Sequence, residues 1–482
     1  MTLPDNTRWR VERAHRAAVI VDADNYFRLA RQAMMKAEKQ ILLVGWDFDA
    51  RIRLAWKNEP PGVPTEVGEF INWLVKRRPG LNVHILRWDK GAFKTLFRGK
   101  TLWTLTKWRF LRKRIHLLLD GHHPIGASQH QKIVVIDDCL AFCGGIDMTD
   151  ERWDTRQHRD DDPHRVSPHG WSNKPWHDAT TALEGPVAKS LGDLCRTRWR
   201  IAGGAPIDPP GVTRDCWPTD LEPDFHDVDV AISRSQPEHG EQESIREIEH
   251  LYLALIARAK RTIYAESQYF ASRRVAEAIA RRLDEPGGPE IVIINPVHAQ
   301  GWLEPIAMDT ARARLFQALK KRDIHGRLRM YHPHTAGGTP IYVHAKVLVI
   351  DDEVIRVGSS NFNNRSLRLD TECDVTIEGD DPDERRRITD IRDDLIAEHL
   401  ATEPSRVTDA IAAHGLIGAI EALRGEGKTL VPYEVPDLTG VEAWLADNKI
   451  LDPEGPGEMF EPLTKRRRLV ARLKRKRHRR VA

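Results

Sequence analysis

Residues 127–147 read ASQHQKIVVIDDCLAFCGGID, and residues 341–361 read IYVHAKVLVIDDEVIRVGSSN. Aligned without gaps, His130 meets His344, Lys132 meets Lys346 and Asp137 meets Asp351. Gly144 meets Gly358, and Asp147 meets Asn361. Between lysine and aspartate lies an aliphatic run, IVVI or VLVI, suited to a buried strand. Side chains two apart on a strand share a face, so each histidine points with its lysine. The chain therefore carries one polar pair twice, each at the end of an apolar element.

The repeat extends in both directions. Downstream, DATTALEG (178–185) aligns with ECDVTIEG (372–379), placing Asp178 opposite Glu372. The step from histidine to acid is 48 residues in the first copy and 28 in the second, so the first carries about 20 extra residues near 151–175. Upstream, KQILLVGWDF (39–48) resembles RTIYAESQYF (261–270), each after an amphipathic stretch, 24–38 and 241–260. Short β-branched strands (ILLVG, VHILRW, KIVVID, IVIIN, KVLVID) alternate with helical segments, as in an α/β protein. The pattern predicts two pseudo-symmetric lobes, each a mixed sheet flanked by helices, over 1–203 and 228–400. A Pro- and Asp-rich linker spans 204–227, an extension 401–464, and a basic tail 465–482.

The 482 residues include five cysteines, too few and too scattered for a disulfide scaffold, and are expected to be buried thiols. No run of 18 apolar residues suggests a membrane span, and the N-terminus lacks an apolar leader. A cytoplasmic protein, peripheral on the membrane at most, is expected. The formal charge of +3 hides an asymmetry: residues 465–480 hold 11 Lys or Arg and no acid, so the remainder carries −8. Such a tail suits an anionic lipid surface or, less well given the acidic body, nucleic acid. A solvated tail without a partner is the plainer alternative.

Two histidines and two lysines converging between lobes suit a phosphodiester. Lysines place charge on the non-bridging oxygens. A neutral imidazole attacks phosphorus to give a phosphohistidine, and a protonated one supplies the leaving alcohol's proton. Asp178 and Glu372 are placed to bond the far ring nitrogens and orient the histidines. This chemistry calls for no metal and no cofactor.

The doubled His-x-Lys-x4-Asp pattern resembles the signature of the phospholipase D superfamily over about residues 10–400. GWDFDARIRL (45–54), RWDT (152–155), PWHD (175–178) and ESQYF (266–270) are similar to its eukaryotic-like, phosphatidyl-transferring branch. The resemblance implies two phospholipase D-like lobes with one active site between them, and no obligate protein partner for catalysis. It assigns attack to His130 and acid–base work to His344. It gives phosphate binding to Lys132, Lys346, Ser359 and Asn361. Asp137 and Asp351 belong to the catalytic motif, with a role more structural than chemical. Asp147 stands where some members have asparagine, and a carboxylate repels phosphate. The modules that target eukaryotic members to lipid are not expected here.

The leading expectation is hydrolysis of glycerophospholipid to phosphatidic acid, or transfer of the phosphatidyl group to an alcohol. A nuclease with the same site, or a silent membrane-associated scaffold, are the alternatives. His122, His123, His158, His164, His169 and His177 lack ligand spacing on one element and read as ordinary side chains rather than metal ligands. Trp103, Trp108, Trp153, Trp171 and Trp176 read as core or as a lipid-facing rim. His332 and His334 are placed on a loop near the second motif, within reach of a headgroup.

Overall fold

The computed structural model describes residues 2–56, 60–89, 113–211, 214–300 and 308–436. Trp103, Trp108 and the basic tail lie outside these residues. In the first half, β1 (Arg10–Val21) precedes α1 (Ala23–Lys36), β2 (Gln40–Gly45), α2 (Val67–Arg77), β3 (Asn82–Trp88) and β4 (Ile115–Asp120). Then come β5 (Ile133–Ile136), β6 (Leu140–Gly144), β7 (Trp176–His177), β8 (Ala179–Glu184) and α3 (Pro186–Ile201).

The second half repeats the plan. It runs β9 (Phe225–Gln236), the short β10 (Ile245–Arg246), α4 (Glu247–Arg258), β11 (Thr262–Glu266), α5 (Arg273–Asp284) and β12 (Glu290–Ile294). Next are α6 (Thr310–Arg322), β13 (Leu328–His334), β14 (Tyr342–Val343), β15 (Val347–Ile350), β16 (Val354–Gly358) and β17 (Glu372–Glu378). The chain closes with α7 (Pro382–Leu400), α8 (Pro404–Leu423) and β18 (Thr429–Pro432).

One sheet joins the lobes, in the order β18-β13-β12-β11-β15-β16-β17-β9-β1-β8-β6-β5-β2-β3-β4. Its centre is the antiparallel pair β1 and β9, in register at Ala14↔Val228 and Arg13↔Asp229. Reading outward from that pair gives the same strand sequence on both sides as far as β13 and β4, with β18 added beyond β13; this is the pseudo-two-fold of the repeat. These two central 12-residue strands are missing from the expected set: their polar, part-exposed N-terminal halves break the apolar run. The linker ends slightly early, since β9 begins at Phe225. Part of the extension belongs to lobe 2, because β18 pairs with the edge strand β13.

Both faces of the sheet are covered, so its inner strands are apolar throughout. Ile41 and Leu43 pack with Tyr26, Phe27, Phe70 and Leu74 under α1 and α2. Leu42 and Val44 face the other way, into a core shared with Leu191 and Trp199 of α3. That core continues across the lobes to Leu395 and Ile396 of α7. All five cysteines are free and buried.

The repeated aspartates act at the far end of this frame. Asp137 accepts hydrogen bonds from the N–H groups of Glu38, Lys39 and Gln40 at 2.6–2.9 Å. Asp351 accepts from Lys260, Arg261 and Thr262 at 2.6–2.8 Å. Each carboxylate thus caps the strand beside its own hairpin, β2 or β11. Seven residues of extended chain separate each from its histidine, on the order of 20 Å. Asp137 and Asp351 therefore serve the scaffold, not the catalytic group with which their motif places them. Asp137→Ala leaves three N–H groups without an acceptor and is expected to cost about 3 kcal/mol. A lowered urea midpoint, with turnover retained by the folded fraction, checks this.

Candidate active site

The two histidines enter the site just before β5 and β15, and each is held by the opposite lobe. His130 N–H donates to Thr371 O at 2.9 Å, next to a parallel bridge between Gln129 and Thr371. His344 N–H donates to His177 O at 2.7 Å, where β14 pairs parallel with β7. These are two-fold mates. Each lays a histidine beside the residue that follows the partner strand, and those residues are the two acids.

His130 Nδ1–H accordingly donates to Glu372, at 2.9 and 3.0 Å from its two oxygens. His344 Nδ1–H donates to Asp178 Oδ2 at 2.6 Å. Both bonds leave Nε2 with the lone pair. The acids expected to orient the histidines do so, but exchanged between lobes. Gly145 permits this on one side: a Cβ there would overlap Asp178 Oδ1.

Lys132 Nζ donates to His130 O at 2.8 Å and lies 3.2 Å from Asp147 Oδ2. Lys346 Nζ donates to His344 O and lies 3.5 Å from Gln268 Oε1. Asp147 and Asn361 accept equivalent backbone bonds, from Trp46 N–H at 2.9 Å and Gln268 N–H at 3.2 Å. The consequence is asymmetric: Asp147 offsets the charge of Lys132, while Asn361 turns its amide to Gln268 Oε1 at 3.3 Å. Ser359, expected at the phosphate, has both donors committed elsewhere. Its hydroxyl donates to Glu372 Oε2 at 2.5 Å and its N–H faces Asp374 Oδ1 at 3.1 Å. It steadies the carboxylate that orients His130.

Burial and the lysines together hold both imidazoles well below the ordinary histidine range. His130 itself adds to the effect on His344, so the two rings act on one another. Burial raises Glu372 to about 7 against the pull of Lys132. Burial lowers Lys346 to about 7 against the pull of Asp178. Glu372 is thus a carboxylate above that pH, and Lys346 an ammonium below it. For a phosphodiester substrate, kcat/KM is expected to trace a narrow bell near pH 7, its limbs belonging to the coupled pair. Lys346→Arg keeps its charge and should move the alkaline limb upward. An unmoved limb in a pH–rate profile would remove Lys346 from this role.

Arg152, the first residue of RWDT, also reaches the site. It is buried, its Cζ lies 4.2 Å from the Trp176 ring centroid, and it acts electrostatically on His344 and Lys346. Its Nε and Nη1 make no hydrogen bond among the described residues. Only burial identifies it, and arginine is too common in this chain for sequence to do so. Trp46 stands edge-on to His130 at 6.4 Å, and Trp176 lies 5.1 Å from His344. Trp176 is buried and Trp171 is 76% exposed, so the tryptophans divide between core and surface. His130 is the more open histidine, at 15% side-chain exposure against 6% for His344.

His332 and His334 lie on strand β13, not on a loop. His332 is buried, bonded through Nδ1 to Asn295 O at 2.8 Å. His123 accepts from Trp88 Nε1–H at 2.9 Å, and His122 packs against the ring of His239. His164 stacks on Trp56. His158 and His177, in contrast, meet in a fully buried cluster with Asp22 and Glu398.

A family model described as cardiolipin synthase, PLD-like domain, matches residues 252–390. Phospholipase D alpha 1 of Nicotiana tabacum is 24% identical over 471 residues, covering 70% of this chain and 58% of that one. The Arabidopsis thaliana protein of the same name is 24% identical over 487 residues, covering 73% and 60%. The chain thus spans about three-fifths of the length of these curated relatives. The solved phosphatidylserine synthase of Haemophilus influenzae Rd KW20 shares the fold, with a TM-score of 0.56 at 13% identity. That match covers 86% of this chain and 95% of the other. Among the described residues, no helix is long and apolar enough to cross a membrane.

Proposed function

This chain belongs to the phospholipase D superfamily, and from that premise we propose that it is a phospholipase D-type phosphodiesterase acting on glycerophospholipids. The observation that carries the reading is the pair of crossed histidine–acid contacts, 2.9 Å for His130 with Glu372 and 2.6 Å for His344 with Asp178. Each leaves an Nε2 lone pair; Lys132 and Lys346 act electrostatically on both rings, and Arg152 on that of His344.

In this reading the lysines and Arg152 hold the phosphodiester's non-bridging oxygens. The bound anion offsets their charge and lets His344 take up a proton. His130 Nε2 attacks phosphorus, the bond to the headgroup oxygen breaks, and His344 gives that oxygen its proton. The imidazolium of the phosphohistidine is stabilised by Glu372. Neutral His344 then takes a proton from water or an alcohol, whose oxygen displaces His130 from phosphorus. Phosphatidic acid or a headgroup-exchanged lipid leaves, and His344 is protonated again. The basic tail at 465–480 would hold the protein on an anionic surface.

The test is turnover of phosphatidylcholine, phosphatidylethanolamine and phosphatidylglycerol vesicles, with and without ethanol. Phosphatidic acid is expected without ethanol, and phosphatidylethanol with it. Absence of both, together with cleavage of single- or double-stranded nucleic acid, would overturn the lipid reading in favour of a nuclease.

A further inference from the structure

We propose that Asp22, His158, His177 and Glu398 form a buried site for one Zn²⁺ ion, separate from the phosphodiester site. The four residues come from four segments. Asp22 lies between β1 and α1, and His158 lies in the stretch that lengthens the first repeat. His177 is on β7, and Glu398 is in the last turn of α7. Their side chains are 0–2% exposed.

The inward-facing atoms are spaced as a tetrahedral ion requires. His158 Nε2 lies 3.0 Å from Glu398 Oε1 and 3.4 Å from Asp22 Oδ2. His177 Nδ1 lies 2.9 Å from the same glutamate oxygen and 3.4 Å from Asp22 Oδ1. Bonds of about 2.0 Å to four ligands place neighbouring ligand atoms about 3.3 Å apart. Two imidazole nitrogens and two carboxylates favour zinc over calcium or magnesium, which take oxygen.

The outer shell is built as well. His158 Nδ1–H donates to Asp154 Oδ2 at 2.9 Å, and His177 Nε2–H donates to Glu266 Oε2 at 2.8 Å. A carboxylate behind each imidazole fixes the tautomer whose inner nitrogen binds a metal. These carboxylates are themselves held, Asp154 by Arg165 Nη1 at 3.0 Å and Glu266 by Tyr264 Oη at 2.5 Å. Glu398 Oε2 is held by Arg156 Nε at 2.5 Å.

A second observation points inward. Asp22 Oδ2 is buried and has no hydrogen-bond partner among the described residues. Both nitrogens of each histidine also face carboxylates. Hydrogen bonds alone would need two imidazolium rings with centroids 5.9 Å apart in one closed pocket. One divalent ion supplies the same charge and uses the Asp22 oxygen too.

With four protein ligands and no open position, the ion is structural. It braces the acid–base histidine. Asp22 Oδ1 accepts the Asp178 N–H at 3.0 Å, and His177 O accepts the His344 N–H.

The experiment is elemental analysis of the full chain, purified from zinc-supplemented culture and dialysed. One zinc per chain is expected. Folded His158→Asn and Glu398→Gln proteins should hold less than a tenth of that. Should those variants fail to fold, the wild type still decides. Stripping its metal should lower the melting temperature, and zinc chloride but not magnesium chloride should restore it. Cobalt exchanged into the stripped protein should show the intense visible bands of four-coordinate Co²⁺. Wild type that holds no zinc after incubation with zinc chloride, at unchanged melting temperature, overturns the site. So does stoichiometric zinc retained by the folded variants.

Discussion

Asp178→Asn is expected to lower kcat by on the order of 10⁴-fold, the scale of replacing an orienting carboxylate by its amide in a comparable triad. The loss should fall on leaving-group departure. Asp178 bonds His344 Nδ1 at 2.6 Å, and the amide has no second lone-pair oxygen to hold the imidazolium. Glu372→Gln should instead impair attack, because Glu372 orients His130. Along the chain the acids sit the other way round: Asp178 follows His130, and Glu372 follows His344. Kinetics of the two variants on alkyl and aryl phosphodiesters therefore test the crossing itself. If Asp178→Asn behaved as a His130 variant does, the cross-lobe pairing would be wrong.

The second large effect concerns His344→Ala. General acid catalysis contributes about 10²–10⁴-fold, and an alkoxide leaving group needs it most. On a phospholipid, turnover should fall by about that factor. On a p-nitrophenyl phosphodiester the first step survives, because nitrophenolate leaves without a proton. No base then activates water, so the phosphoryl group stays on His130. The expected result is a burst of one equivalent of nitrophenol with acid-labile phosphate on the protein. His130→Ala should give no burst with either substrate. A burst from His130→Ala and none from His344→Ala would exchange the two roles.

The bland-looking histidines show where sequence patterns stop. His158 and His177 are 19 residues apart, on different elements, and Glu398 is more than 200 residues further on. No local spacing marks them as a group. Ser359 shows the same limit beside the motif itself. The resemblance implies phosphate binding for it, whereas its hydroxyl donates to Glu372 Oε2 at 2.5 Å. Position along a strand predicts the face of a side chain, not the partner that arrives from another segment.

The repeat by itself determined the two lobes, the inward pairing of histidine with lysine, and the identity of both orienting acids. Those features follow from strand periodicity and duplication, which are local and survive in sequence. Tertiary structure alone decided which acid serves which histidine. The parallel bridges at Gln129–Thr371 and Val343–His177 cross between lobes, and they carry each carboxylate to the other lobe's imidazole. The same crossing brings Arg152 to the site and closes the buried cluster around Asp22. The two histidine–acid contacts join residues 242 and 166 positions apart, and no periodicity in the chain encodes them.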